Sequence, residues 1–397
     1  MLPEGWRQCR MGDLFESRRE RGRPGLPLLS VTMNDGLVDR EDLDRKQDSA
    51  LAPEEHLLVK PGDIAYNMMR MWQGAFGLAY REGMVSPAYV VLKPRDGISP
   101  AYVAQVLRSP RILYLLWAYS HGITDDRLRL YFDDFAAVPI SLPPEEVQLN
   151  VANALGIWDR AIAAAEQLVE NSTRLRQALA DVSLDRAKGR RDWQTRTLGE
   201  VATFRNGLNF TRSANGEVVK IVGVSDFQAR SQLDSTDALE KVQIATTLND
   251  EDLIRSGDLL FVRSNGNKEL IGRCLFFPKV EERVSFSGFT IRGRFDTDIV
   301  DPLFASHLMR SRSVRDQVFS AGSGTNISNL SQAILSDIRI ELPPIDEQRA
   351  IAAMLDKCDQ STSAAHRYVD SLRRQKQAVI QRTLRDSACK AVCAGAI

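Results

Sequence analysis

The 397-residue sequence has no apolar run long enough to cross a bilayer. The longest, Ile112 to Tyr119, is eight residues, where a spanning helix needs about 20. The first residues, MLPEGWRQCRMGDLF, contain no apolar segment of the signal-peptide kind. Cysteine is scarce: Cys9, Cys274, Cys358, Cys389 and Cys393 show no CxxC pair, and an odd count without a framework fits a reducing compartment. A cytoplasmic protein without membrane contact is expected. Histidine is scarcer still. His56, His121, His307 and His366 have no Cys, Asp or Glu at metal-ligand spacing, so no metal is expected. Charge of one sign is missing too, with 52 basic and 52 acidic residues. That excludes a uniformly basic surface; any basic patch must be local and offset elsewhere. There is no GxxxxGK[ST] loop, no Asn-Pro-Pro-aromatic or Asp-Pro-Pro-Tyr sequence, and no glycine-rich turn between a strand and a helix. No catalytic residue can be named, and the case for an enzyme is weak.

What is present is a repeat. Leu342-Pro343-Pro344 ends an extended segment, and a helical pattern follows to Leu384. Its apolar or small positions, Ile351, Leu355, Cys358, Thr362, Ala365, Val369 and Leu372, alternate steps of four and three, the seam of a coiled coil. Leu142-Pro143-Pro144 opens a second copy with Val151, Leu155, Trp158, Ile162, Ala165, Val169 and Ser172. Each lies 200 residues before its partner, as do Gln148 before Gln348 and Asp159 before Asp359. Amphipathicity alone does not require matched prolines and glutamines.

The segments before the helices repeat as well. Trp193 and Leu198-Gly199-Glu200-Val201 stand 187 residues after Trp6 and Met11-Gly12-Asp13-Leu14; Gly257-Asp258-Leu259 stands 195 after Gly62-Asp63-Ile64. Gly272 is paired with Gly77 at the same offset, Pro302 stands 202 after Pro100, and Ser320 stands 200 after Ser120. Leu28 to Thr32, Ile64 to Tyr66 and Ala88 to Leu92 read as strands; Pro100 to Leu116 reads as one or two helices. The expected fold class is α+β. Two mixed α/β domains, 1–144 and 191–344, are each followed by a long helix, 145–190 and 345–397. The helices are expected to pack as an antiparallel coiled coil, with an internal pseudo-two-fold repeat. Lys188-Gly189-Arg190-Arg191 reads as a linker, and the tail from Ser387 as helix end or disordered segment.

The polar segments between the anchors differ, which suggests one scaffold carrying two surfaces. Reading DNA requires donor and acceptor pairs from Arg, Lys, Asn and Gln at base edges, and Ser, Thr and Lys at phosphates. In the first domain those types cluster at Arg18, Arg19, Arg21 and Arg23, at Asn34, at Asn67, Arg70 and Gln73, and at Thr124, Arg127 and Arg129. In the second they cluster at Asn206, Asn209 and Arg212, at Arg263, Asn265, Asn267 and Lys268, and at Ser323, Thr325 and Asn326. Any one of these is by itself an ordinary solvated turn residue; the clusters are the candidates. Trp72 reads equally as a core residue.

Two variable domains, each followed by a long helix entered through Leu-Pro-Pro and a nearby Gln, resemble the specificity subunit of a Type I restriction–modification system. The likeness rests on Trp193 with Leu198-Gly199-Glu200-Val201, Pro61-Gly62-Asp63-Ile64, Gly322-Ser323 leading to Asn326-Ile327-Ser328, and Leu342-Pro343-Pro344 with Glu347-Gln348-Arg349. It covers about residues 6 to 386. The first domain departs from the pattern at Glu146-Val147-Gln148 and at His121-Gly122-Ile123-Thr124.

The resemblance implies two target recognition domains, each reading half of a bipartite asymmetric site in double-stranded DNA, held apart by spacer helices. It implies two methyltransferase subunits that carry adenine-N6 chemistry and S-adenosylmethionine. It implies two ATP- and Mg-dependent restriction subunits, and no cofactor or catalysis in this chain. The competing readings are a coiled-coil scaffold without a role at DNA, and a nuclease or methyltransferase with unfamiliar motifs.

Overall fold

The computed structural model describes residues 3–392 except 34, 44–50, 125–126, 186–191, 211, 228–229, 246–247, 265–266, 268–269 and 322–328. The expected linker at 188–191 falls outside the described residues. By contacts the chain forms two compact units, Met1–Glu166 with Arg367–Ile397, and Gln167–His366.

In unit 1, β1 (Arg7–Arg10) leads through α1 (Met11–Leu14) into β2 (Phe15–Ser17). There follow β3 (Leu29–Val31), β4 (Leu37–Asp39), β5 (Leu57–Val59), β6 (Ile64–Asn67), β7 (Phe76–Leu78), β8 (Gly83–Val85) and β9 (Tyr89–Pro94). Then come α2 (Pro100–Leu107), α3 (Pro110–Ala118), α4 (Phe132–Ala137), β10 (Pro139–Leu142) and the long α5 (Glu145–Ala180). The main sheet has the order β2-β9-β6-β7, all antiparallel, and β1 pairs with β10.

Unit 2 repeats this frame. β11 (Gln194–Thr197), α6 (Leu198–Val201) and β12 (Ala202–Asn206) are followed by β13 (Arg212–Val222), β14 (Glu240–Ile244), β15 (Leu259–Val262), β16 (Cys274–Phe276), β17 (Val284–Phe286) and β18 (Thr290–Phe295). Next are α7 (Pro302–Leu308), α8 (Arg312–Ala321), α9 (Gln332–Asp337), β19 (Arg339–Leu342) and α10 (Ile345–Val392). Its main sheet, β12-β18-β15-β16, has the strand order of the first, and β11 pairs with β19 as β1 does with β10. The units differ in what is added. Unit 2 carries a third sheet, β14-β13-β17, while unit 1 carries the small pairs β3-β4 and β5-β8.

Equivalent positions fill both cores with different apolar side chains. Met11, Leu14, Ile64, Tyr66 and Phe135 are fully buried, as are Leu198, Leu259, Leu335, Val201 and Phe261 at the equivalent places. Each such side chain contributes roughly 1.5–3 kcal/mol of burial. The expected helical stretch from Pro100 breaks in two because Pro110 starts a new helix with Ser109 before it. Gly62 and Gly257 take φ of 91° and 90° in the turns that lead into β6 and β15, and the next residue of each turn, Asp63 or Asp258, is buried.

One repeat pairing needs correction. Gly272 corresponds to Gly74, not Gly77. Both have left-handed φ (78° and 92°) and both stand two residues before the strand, β16 or β7. The loop before it is therefore three residues longer in unit 2.

Each unit is closed by two antiparallel helix segments. In unit 1, Asp159 of α5 pairs with Lys376 of α10, and Glu166 with Arg373 at 2.6 Å. In unit 2, Arg176 of α5 donates to Asp359 of α10 at 3.0 Å. Numbers rise on one helix as they fall on the other. The expected seam is the covered face: Leu155, Ala165, Leu355, Val369 and Leu372 are buried, and Leu168, Leu175 and Tyr368 beside it are exposed.

Candidate nucleic-acid interface

The register of the main sheets decides which polar segments meet. In unit 2 Asn206 pairs with Ile291 and Val262 with Thr290, so the C-terminal ends of β12 and β15 lie beside the start of β18. Four segments are stitched there by backbone hydrogen bonds. The Gly207 N–H donates to Thr290 O (3.0 Å) and the Gly288 N–H to Leu208 O (2.8 Å). The Arg263 N–H donates to Phe289 O (2.8 Å), and the Leu330 N–H to Arg263 O (2.8 Å). Gly207 is obligatory, since a Cβ would stand 2.1 Å from Ser287 O.

This arrangement brings together Asn206 and Asn209, both exposed, and Arg263, which is half-buried and reaches Gly288 O at 3.5 Å. Asn267 is exposed on the same loop as Arg263. Asn265, Lys268, Ser323, Thr325 and Asn326 lie outside the described residues, between or beside these anchors. Arg212 opens β13, opposite Ile244.

Unit 1 makes the corresponding junction. The Leu130 N–H donates to Met68 O at 2.9 Å, joining the 67–74 loop to the 121–130 loop as Leu330 joins its loop to Arg263. Within the second loop, His121 and Arg129 exchange backbone bonds of 2.9 and 2.8 Å. Arg70, Gln73, Thr124, Arg127 and Arg129 are exposed on these two loops. Asn67 is half-buried and turned to its own backbone, with Oδ1 accepting from Met69 N at 2.9 Å. Trp72 is half-buried, and its indole N–H donates to Met69 O. His121 Nε2 meets Asp134 Oδ1 at 3.1 Å. Asn34 lies outside the described residues.

The basic segment at 18–23 is not a free loop. Its backbone is tied to Val91, Leu58 and His56 through Arg18 N, Glu20 O and Gly22 N. Arg18 turns inward and is 9% exposed. Its guanidinium donates to both oxygens of Asp63, Nε to Oδ2 at 2.6 Å and Nη2 to Oδ1 at 3.1 Å, and it also pairs with Glu20. Arg18 is thus a structural residue, because a buried carboxylate requires a charged partner. Unit 2 answers the same need from another strand: Arg294 donates to Asp258 at 2.8 and 2.7 Å, which raises the arginine's pKa. Arg23 pairs with Glu82 at 2.7 Å, while Arg19 and Arg21 are exposed.

Sequence reading missed Phe289, a large hydrophobic side chain 59% exposed whose carbonyl receives both Arg263 N and Ser264 N. The Ser287-Gly288 turn between two strands was its available signal. Among the described residues no cluster of His, Cys, Asp or Glu could hold a metal, and no helix is long and apolar enough to cross a membrane.

Residues 190–369 match the family model described as the Type I restriction modification DNA specificity domain. The chain is 23% identical over 280 residues to the Type I restriction enzyme StySPI specificity subunit of Salmonella potsdam. That match covers 67% of this chain and 60% of the relative, so the chain spans about three-fifths of its length. It is 20% identical to the MjaVIII specificity subunit of Methanocaldococcus jannaschii, across 96% of this chain and 92% of that protein. Among solved structures, the Type I restriction-modification system S subunit from M. genitalium shares the fold. Its TM-score is 0.56 at 14% identity, with 95% of both chains covered.

Proposed function

We propose that this chain is the non-catalytic DNA reader of a Type I restriction–modification complex, a reading supported by the match of residues 190–369 to the Type I DNA specificity domain and by the likeness of the chain to Type I specificity subunits. Each unit recognises one half of a bipartite, asymmetric double-stranded site. The single observation that carries this reading is the repeated junction. Leu130 to Met68 and Leu330 to Arg263 each draw two polar, sequence-divergent loops to one place on an otherwise repeated frame. A shared frame with unlike loops is what reading two unlike half-sites requires.

The exposed Arg, Asn, Gln and Thr side chains on those loops supply base and phosphate contacts. The long helices serve as the spacer between half-sites. Because the frame occurs twice, the chain offers two equivalent surfaces to two identical methyltransferase subunits. Those subunits carry adenine-N6 methylation and S-adenosylmethionine, and two restriction subunits bring ATP and Mg. This chain holds no cofactor of its own and works in the cytoplasm.

The test is methylome mapping in a host that expresses the chain with its modification subunit. A split motif with methylated adenine in both halves is expected, and exchange of residues 1–144 should change one half alone. No new methylation from a verified complex would overturn the reading.

A further inference from the structure

Unit 2 contains a cleft of about 480 Å³ between the start of β16 and the helices α7 and α8. Arg230, Arg273, Arg310 and Arg315 all line it, and no acidic residue is among the described residues that do. In a chain whose basic and acidic residues balance, this is a local segregation of charge. Arginines from four places in the sequence converge on one concavity, which focuses positive potential there.

Arg310 is the inner, fixed member. Its Nη1 donates to Asp359 at 3.2 Å, its Nε to Ser306 O at 3.0 Å, and its Nη2 lies 2.8 Å from His307 Nδ1. Arg273 reaches Phe227 O at 3.5 Å; it, Arg230 and Arg315 are exposed at the rim. Cys274 also lines the cleft, but burial pushes its thiol up to about 12, so it does not act as a nucleophile.

The shared frame does not demand this cluster. In unit 1 the positions of Arg273 and Arg315 are held by Ala75 and Leu113, and Arg108, equivalent to Arg310, lies over the Phe76 ring at 4.9 Å. Arg273 and Arg315 are therefore not part of the repeated frame, and with Arg230 they surround the one arginine, Arg310, that both units share.

We propose that this cleft is a phosphate-binding site. Guanidinium forks match phosphate oxygens in pairs, and the fixed Arg310 pre-orders the floor for them. The phosphate has two sources to be distinguished: the backbone of DNA bound by unit 2, which rests on the function proposed above, or a free polyphosphate, which does not.

The experiment compares the full chain with Arg230→Ala/Arg315→Ala and with the charge-keeping Arg230→Lys/Arg315→Lys. Inorganic pyrophosphate is titrated by calorimetry. Binding to DNA carrying the mapped site is measured against salt. A fall of about two in the log–log salt slope of the alanine variant, kept by the lysine variant and with both half-sites unchanged, identifies the DNA backbone. Pyrophosphate binding that the alanine variant loses while the DNA slope stays constant identifies a free polyphosphate. If neither moves in a variant that melts like the parent, the proposal is overturned. If the assembled chain binds no DNA, the function above fails, and the pyrophosphate titration alone decides the cleft.

Discussion

Gln348 fastens the first turn of its own helix to the start of another: its Oε1 accepts a hydrogen bond from the Asp301 backbone N–H at 2.9 Å. Its Nε2 donates to Ile299 O (3.0 Å) and Pro343 O (2.9 Å), and the side chain is buried. Gln148 repeats the pattern with Ser99 N at 2.9 Å, Pro143 O at 3.0 Å and Gly97 O at 3.4 Å. Asp301 and Ser99 are themselves the N-caps of α7 and α2. One amide thus locks two helix starts and the Pro-Pro turn. Gln348→Leu leaves the buried Pro343 O and the partly buried Asp301 N–H without their partner, frees Ile299 O, and should destabilise the protein by about 2 kcal/mol. Urea unfolding of the full chain measures it; a change below about 0.5 kcal/mol would contradict the locking role.

Arg18→Ala should behave as a core mutation. It leaves Asp63 buried without its charge partner, a loss of about 3–5 kcal/mol for a broken buried pair. DNA binding by the remaining folded protein should keep its salt slope. A slope lowered by about one would return Arg18 to the phosphate-contacting set.

His307 gives the chain an acid weakness. Burial, with Arg310 next to it, lowers the imidazole pKa from 6.5 to about 3, against a smaller opposing pull from Asp359. Its Nε2 is buried without a hydrogen-bond partner. Between pH 6.5 and about 3 the unfolded chain binds a proton that the folded chain refuses, so stability falls as pH falls through that window. His307→Gln places there the residue that unit 1 has at Gln105. It should flatten the fall in melting temperature from pH 6.5 downward; an unchanged pH profile would remove His307 as the cause.

Deleting one heptad from each of α5 and α10, at positions 200 residues apart, keeps the seam in phase. Seven residues are about 10 Å of helix, or roughly three base pairs. The methylated motif should keep both half-sequences and shorten its gap by about that amount. A gap that tolerates the deletion unchanged would end the spacer role.

The frame was legible because its signals are local or periodic. Pro-Pro stops, the heptad steps and the repeated Gly-Asp turns each act within a few residues, and all recur in the structure. The loop clusters at 67–74 with 121–129, and at 263–267 with 206–209, were legible by composition, and the sheet register brings them together. What escaped depended on distant partners. Arg18 has the composition of a surface residue, but its partner Asp63 lies 45 positions away. The match of Gly272 to Gly74 turns on backbone conformation and on three inserted residues, neither of which a fixed offset reveals. The short α9 hid in a polar stretch, marked only by the Ser331 cap on Ile334 N at 3.1 Å.

The pairs that close unit 1 carry a consequence for biosynthesis. Glu166 waits for Arg373 and Asp159 for Lys376, 207 and 217 residues later, while Arg176 of unit 2 waits 183 residues for Asp359. Synthesised from its N-terminus, the chain begins unit 1 first and completes it last. During that interval the part of α5 that faces α10 in unit 1, around Asp159 and Glu166, is uncovered, and contacts of such sequence separation form slowly. On the ribosome the nascent protein needs protection over this stretch until its last helix has emerged.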